Sequence, residues 1–153
     1  MDIEKLREEL IADEGMRLDI YKCTAGHLTI GVGHRIIEGD AEHGKPEGYT
    51  ITERRMKQLF DLDIAIVRED CHRLYEDFAD LPEEAQRIIA NMMFNMGLPT
   101  MKKFKGMKRC VDARDFSGAA LEMLDSKWAR QLPNRSERLV KRMRARADEQ
   151  KPL

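Results

Sequence analysis

The sequence predicts an α+β fold, mostly helical, in which a small N-terminal β-lobe is joined by a long helix to an all-helical C-terminal lobe. Three observations predict it. Apolar residues recur at helical spacing through most of the 153 residues. Alternating runs flank the short stretch CTAG near the N-terminus. A loop rich in glycine, proline and charge then precedes one long apolar stripe.

The elements follow in order. Asp2 is a candidate N-cap for a helix carrying Ile3, Leu6, Leu10 and Ile11 on one face, and Gly15 suits its C-terminal stop. Glu14 therefore falls in its last turn. Leu18 and Ile20, then Leu28, Ile30 and Val32, alternate as two strands of a hairpin, with Thr29 on the same face as His27 and His34 at the end of the second strand. Residues 38–48 read as loop and Tyr49 to Ile51 as a short strand. Thr52 can cap a long helix striped by Met56, Leu59, Phe60, Ile64, Val67 and Cys71, with Asp63 interrupting the stripe. Further helices are predicted over Ala85 to Met96, ending at Gly97, over Phe116 to Leu124, and after the Pro133-Asn134 signal through Leu139, Val140 and Met143. Short helical turns fill Thr100 to Asp112 and Lys127 to Leu132. One domain is expected: a β-lobe over about 15–52, an interlobe helix over about 53–73, and a C-terminal lobe over about 74–153 packed with helix 2–14, with a cleft between the lobes.

Composition limits the function classes. Twenty-seven basic residues against 28 acidic ones exert no global pull on nucleic acid. The basic residues concentrate at Lys127, Arg130, Arg135, Arg138, Lys141, Arg142, Arg144 and Arg146, but no aromatic residues interleave with them, so a solvated basic face is expected. At a cleft the same arginines could hold a carboxylate. The three cysteines, Cys23, Cys71 and Cys110, are odd in number and widely spaced, as in a reduced cytosolic protein. No signal peptide and no apolar run of membrane-spanning length is visible, so a substrate beyond the membrane would require release by another protein.

Three candidate chemistries arise from the residues. Glu14 at a helix C-terminus faces the negative end of the macrodipole, which favours its protonated form, as a general acid requires; the alternative is a surface glutamate. Cys23, His27, His34 and His43 supply zinc-type ligands, yet their spacing fits no common zinc pattern, and no metal is expected. His34 and Asp63 are better explained as a buried pair that satisfies both groups.

The stretch DEGMRLDIYKCTAGHLTIGVGH resembles the opening of the phage-type lysozymes, the T-even phage endolysin family of muramidases. Glu14 before glycine, eight residues, Cys23 at an aspartate-or-cysteine position, five residues and Thr29 reproduce the signature. ITERRMKQLFDLD is similar to the entry into that family's interlobe helix, NMMFNMG to its central buried helix, and SKWARQLPNR to its tryptophan-to-arginine stretch, so the likeness spans about the whole chain. The loop after His34 is shorter than in the T-even members.

The resemblance implies a lysozyme-like fold and cleavage of the β-1,4 bond between N-acetylmuramic acid and N-acetylglucosamine of peptidoglycan, without a cofactor. It implies that Glu14 is the proton donor, that Thr29 holds the attacking water, and that Arg135 pairs with the catalytic glutamate. His34 with Asp63 matches a structural pair, while Trp128, Asn91 and Asn95 match positions lining or supporting the cleft, Asn95 standing where T-even members have glutamine. Cys23 can serve as thiolate base, as nucleophile, or as a polarisable neighbour of the water. Also implied are a monomer with peptidoglycan as partner, no nucleic acid, no stable membrane insertion, and residence in the host cytoplasm until a holin-type pore gives access to the periplasm and wall. A lytic transglycosylase, or a non-catalytic peptidoglycan-binding relative, are the competing readings.

Overall fold

Asp2 opens the first helix as expected: its carboxylate accepts from the Lys5 backbone N–H at 3.1 Å, and α1 runs Ile3–Glu14. Gly15, at φ 76°, ends it. These details come from a computed structural model, which describes residues 1–150; the last three residues of the expected domain, 151–153, lie outside the described residues. The fold is α+β, with eight α-helices and one three-stranded antiparallel sheet of order β1-β2-β3 among them. By chain contacts it divides into two compact units, Arg7–Ile66 and Met1–Leu6 with Val67–Leu153.

In the unit Arg7–Ile66, β1 (Arg17–Lys22) and β2 (Leu28–Gly31) form the predicted hairpin. Its turn is closed by Gly26 N–H donating to the Cys23 carbonyl at 2.8 Å and by Cys23 N–H donating to the His27 carbonyl at 2.9 Å. Tyr21 pairs with Thr29 across the strands, and an irregularity between Arg17 and Tyr21 bends β1. The expectation that His34 ends the second strand is corrected. Gly31 and Gly33 take φ of 66° and 60°, a conformation open to glycine, and the chain folds back so that β3 (His34–Arg35) pairs Ile30 with His34 and Thr29 with Arg35.

The expected strand Tyr49 to Ile51 is reduced to an isolated bridge, Asp19 with Thr50, although its backbone still bonds to β1 at Leu18 and Ile20. Beneath the sheet, Ile20, Ile30 and Leu59 form a core completed by Leu28, Ile36 and Ile51. The loop over 38–48 is pinned rather than loose. Glu42, only 3% exposed, accepts two bonds from Arg55 at 2.6 and 3.1 Å. Thr52 caps α2 (Glu53–Leu74), accepting from the Arg55 N–H at 3.1 Å, and Leu59, Phe60, Ile64, Val67 and Cys71 are buried along it.

The second unit is helical. After a 3-10 turn (Phe78–Asp80) come α3 (Glu83–Met96), α4 (Leu98–Met101), α5 (Lys105–Asp112), α6 (Phe116–Leu124), α7 (Lys127–Gln131) and α8 (Pro133–Asp148). Every residue of α3 from Ala85 to Met93 is buried, which makes it the centre of this unit. Its polar residues are satisfied: Gln86 donates to the Leu81 carbonyl at 2.8 Å and Arg87 to Glu83 at 2.9 Å. On α6, Phe116, Ala119, Ala120 and Met123 are buried, but Leu124 is 49% exposed, contrary to expectation. At 3.6 residues per turn the stripe has rotated away by then.

Candidate active site

Glu14, Cys23, Thr29, His34 and Asp63 all lie in the unit Arg7–Ile66. Glu14 is the last residue of α1 and half-buried. Its neighbour is Gly33: a Cβ placed there would stand 2.7 Å from Glu14 Oε2. The tight turn that redirects the chain into β3 therefore also seats the carboxylate. Tyr21, paired with Thr29, is near enough to feel the charges of Glu14 and Cys23; burial first, then Glu14, raises its phenol pKa. Sequence reasoning missed both neighbours, although Gly-Val-Gly before His34 was a turn signal that could have exposed Gly33.

Cys23 sits at the head of the hairpin turn, where backbone N–H groups converge. Its thiol pKa is lowered, first by the His27 N–H, then also by N–H groups of Ala25 and Gly26 and the Thr29 hydroxyl, against a desolvation that opposes them. Such a donor set favours an anion. Thr29 is 4% exposed, and its hydroxyl donates to the His27 carbonyl at 2.9 Å. It has one hydrogen for two acceptors, the carbonyl and the sulfur, so a thiolate and His27 compete for it.

His34 is held from both sides. Nδ1 lies 2.7 Å from Asp63 and Nε2 2.9 Å from Asp40. Burial acts against the imidazolium, but the bonds to Asp63 and Asp40 and their charges outweigh it and hold the pKa at about 9. The pair expected from sequence is thus a triad, and Asp40, which also accepts the Ile37 N–H at 2.9 Å, was the member overlooked. His27 and His43 are exposed. Among the described residues no group of three His, Cys, Asp or Glu side chains is placed to hold a metal ion.

The remaining candidates belong to the helical unit. Trp128, buried on α7, donates from Nε1 to Asn95 Oδ1 at 2.8 Å, and Phe104 meets its ring edge-on with centroids 6.5 Å apart. Arg135, 8% exposed, donates from Nε to the fully buried Asn91 at 3.0 Å. Each asparagine thus fixes one neighbour: Asn95 the indole, Asn91 the guanidinium.

The expected solvated basic face holds for Lys127, Arg130, Arg138, Lys141 and Arg144, which are exposed. It is corrected for three residues: Arg135 is buried, Arg142 is paired with Glu84, and Arg146 donates to the Arg142 carbonyl at 3.1 Å and pairs with Glu149. Helical spacing of basic residues did not reveal that α8 brings Arg142 to Glu84 on α3. Among the described residues no helix is long and apolar enough to cross a membrane.

The model of the family described as Phage lysozyme matches residues 12–147. Probable T4-type lysozyme 2 of Dictyostelium discoideum is 29% identical over 160 residues, covering 90% of this chain and 92% of that protein. An endolysin of Acyrthosiphon pisum secondary endosymbiont phage 1 is 28% identical over 121 residues, covering 79% of this chain and 75% of its own length. A peptidoglycan hydrolase, gp36 of Pseudomonas phage phiKMV, is 28% identical over 93% of this chain but only 15% of its own length.

Proposed function

Because the chain belongs to the phage lysozyme family, we propose that it is an endolysin hydrolysing the β-1,4 bond between N-acetylmuramic acid and N-acetylglucosamine of bacterial peptidoglycan, with inversion. Inverting hydrolysis needs a proton donor at the glycosidic oxygen and a second group that readies water on the opposite face of the sugar. Glu14 is the donor. Cys23, as a thiolate, orients and deprotonates the water, and Thr29 holds the thiolate and the water in register. The observation that supports this reading is the lowered thiol pKa of Cys23 at the hairpin turn, set first by the His27 N–H, which favours negative charge on that side chain.

Arg135 supports the Glu14 carboxylate, while Trp128, Asn91 and Asn95 serve the glycan, with their buried hydrogen bonds as the supporting observation. His34 and Asp63 brace the β3 turn. The protein acts as a monomer with no cofactor, gathers in the host cytoplasm, and reaches the wall through a separate holin-type pore to lyse the host.

Glu14→Gln tests the assignment. Folding and glycan binding should persist while clearance of wall suspensions falls at least about a hundredfold, the scale of general acid catalysis. Retained activity would remove Glu14 from the mechanism. Mass spectrometry of the released ends separates hydrolysis, which leaves reducing muramic acid, from lytic transglycosylation, which leaves a 1,6-anhydro end; absence of any product would leave a glycan-binding protein.

A further inference from the structure

Glu14 and Cys23 are joined by eight residues, and six of them are β1. How β1 is held therefore sets the span between the proton donor and the group that readies the water. Its pairing with β2 is broken. Arg17 lies opposite Gly31 and Tyr21 opposite Thr29, so four steps along β1 (17 to 21) answer two along β2 (31 to 29), and the stretch between is bulged. Within it, Leu18 and Ile20 carry backbone bonds to Gly48, Tyr49 and Ile51.

Three side chains bridge the bulge. Arg17 grips Asp19 at two points, Nε to Oδ1 at 3.1 Å and Nη2 to Oδ2 at 2.6 Å, and its guanidinium carbon stands 4.4 Å from the centre of the Tyr21 ring. Two parallel bonds fix the plane of the guanidinium as one bond would not. Other exposed ion pairs, Arg73 with Glu69 and Lys108 with Asp112, tie successive turns of one helix. The Arg17–Asp19 pair instead spans a break in strand pairing and ends on an aromatic ring. With side chains 49% and 40% exposed, it adds little to stability as an ion pair.

The ring has a place to keep. Tyr21 is the cross-strand partner of Thr29, so the two side chains stand side by side on one face of the sheet. Its phenol is also within reach of the charges on Glu14 and Cys23. A ring free to turn would leave that side of Thr29 open. We propose that Arg17 and Asp19 form a clamp that holds Tyr21 against Thr29 and fixes the span from Glu14 to Cys23, which makes them positioning residues for the hydrolysis. This rests on the roles of Glu14, Cys23 and Thr29 in the proposed function.

Hydrolysis of soluble murein fragments and the order of the Tyr21 ring are measured on the same full-length proteins. Arg17→Met and Asp19→Asn should each lower kcat about tenfold with KM within about twofold of the parent, the pattern of misplaced reacting groups and not of a lost glycan contact. Arg17→Lys keeps the charge without the fork and should be no better than Arg17→Met, whereas Asp19→Glu should recover most of what Asp19→Asn loses. Tyr21→Leu should cost about as much as Arg17→Met, and combining the two should cost less than about twofold more, because the guanidinium acts through the ring. Thermal melting verifies that the variants fold. By NMR, the Overhauser contact between the Tyr21 ring and the Thr29 methyl group should be present in the parent and lost in Arg17→Met and Asp19→Asn. An unchanged kcat would overturn the proposal. A raised KM at constant kcat would overturn it by making Arg17 a glycan contact, and fully additive losses with Tyr21→Leu by taking the ring out of the path. A parent that turns over no murein would sink the hydrolase reading by itself; the Overhauser contact still judges the clamp, and its survival in Arg17→Met would overturn it.

Discussion

Gly33 lies directly against the side chain of Glu14. A Cβ at Gly33 would stand 2.7 Å from Oε2 and 3.1 Å from both the Cβ and Cδ of Glu14, and the backbone there has φ 60°. The carboxylate is the far end of a flexible side chain and can swing aside, so the overlap is relieved by moving the group proposed to meet the glycosidic oxygen. Gly33→Ala should therefore separate activity from stability. Strain at positive φ destabilises by about 1 kcal/mol, whereas misplacing the acid should lower kcat about a hundredfold. A variant that melts earlier but keeps its kcat would mean that the contact is only packing.

The donors around Cys23 lead to a second prediction. Cys23→Ser keeps size and hydrogen bonding but does not ionise near neutral pH, so kcat should fall about a hundredfold; Cys23→Asp restores charge and should stay within about tenfold of the parent. The lowered thiol pKa places the parent's basic-side requirement below the ordinary cysteine value, and the aspartate variant should move it further down. Alkylation should inactivate the parent only. A serine variant with the parent's rate and pH profile would reduce Cys23 to a turn residue.

How much was legible beforehand depended on whether a feature was local. The caps at Asp2 and Thr52, the Gly15 stop and the CTAG turn each follow from a few adjacent residues, and each stands in the structure. The His34–Asp63 contact was readable because a carboxylate interrupting an apolar stripe needs a partner. Features set by a change of chain direction were not readable. The reversal at Gly31 and Gly33, the seating of Glu14 against Gly33 and the arrival of Asp40 at His34 depend on backbone that alternation describes only as strand or loop. Arg142 likewise looked solvent-facing by spacing, because its partner Glu84 is 58 residues away in sequence.

That partnership should matter to stability. Glu84 bonds Arg142 and Arg87, while Glu83 binds Arg87 at 2.9 Å and the Asp2 backbone N–H at 2.7 Å, so one network ties the chain start, α3 and α8 together. Burial would raise the Glu84 carboxyl, but Arg142 and then Arg87 hold it below its usual range. The stabilisation is present above the ordinary glutamate pKa and is lost as pH falls through the folded value. Arg142→Ala should destabilise by about 1–2 kcal/mol at pH 7, while Lys141→Ala, exposed on the same helix, should change stability by less than about 0.5 kcal/mol. Urea midpoints at pH 7 and pH 4 measure both, and the Arg142 deficit should shrink at the lower pH. Equal effects at the two positions would mean that the network contributes nothing net.

The His34 triad predicts a loss of stability on the alkaline side. Folding raises the His34 pKa from 6.5 to about 9, so the native state binds a proton more tightly than the unfolded chain does. The sign follows from linkage: the contribution is complete below about pH 6.5 and disappears as pH rises through about 9. Its ceiling is on the order of 3 kcal/mol, from about 1.4 kcal/mol per pKa unit. Because Asp63 stands on α2 and Asp40 in the loop after β3, deprotonation should loosen the connection among β3, that loop and the helix before it unfolds anything else. Hydrogen exchange at the Ile37 amide, whose acceptor is Asp40, should therefore quicken relative to Ile20 between pH 7 and 9.5 once intrinsic rates are divided out. His34→Asn supplies no ionisable group; it should be less stable than the parent at pH 6 and approach it at pH 9.5. A constant gap between the two proteins across that range would show that the His34 charge adds nothing to the fold.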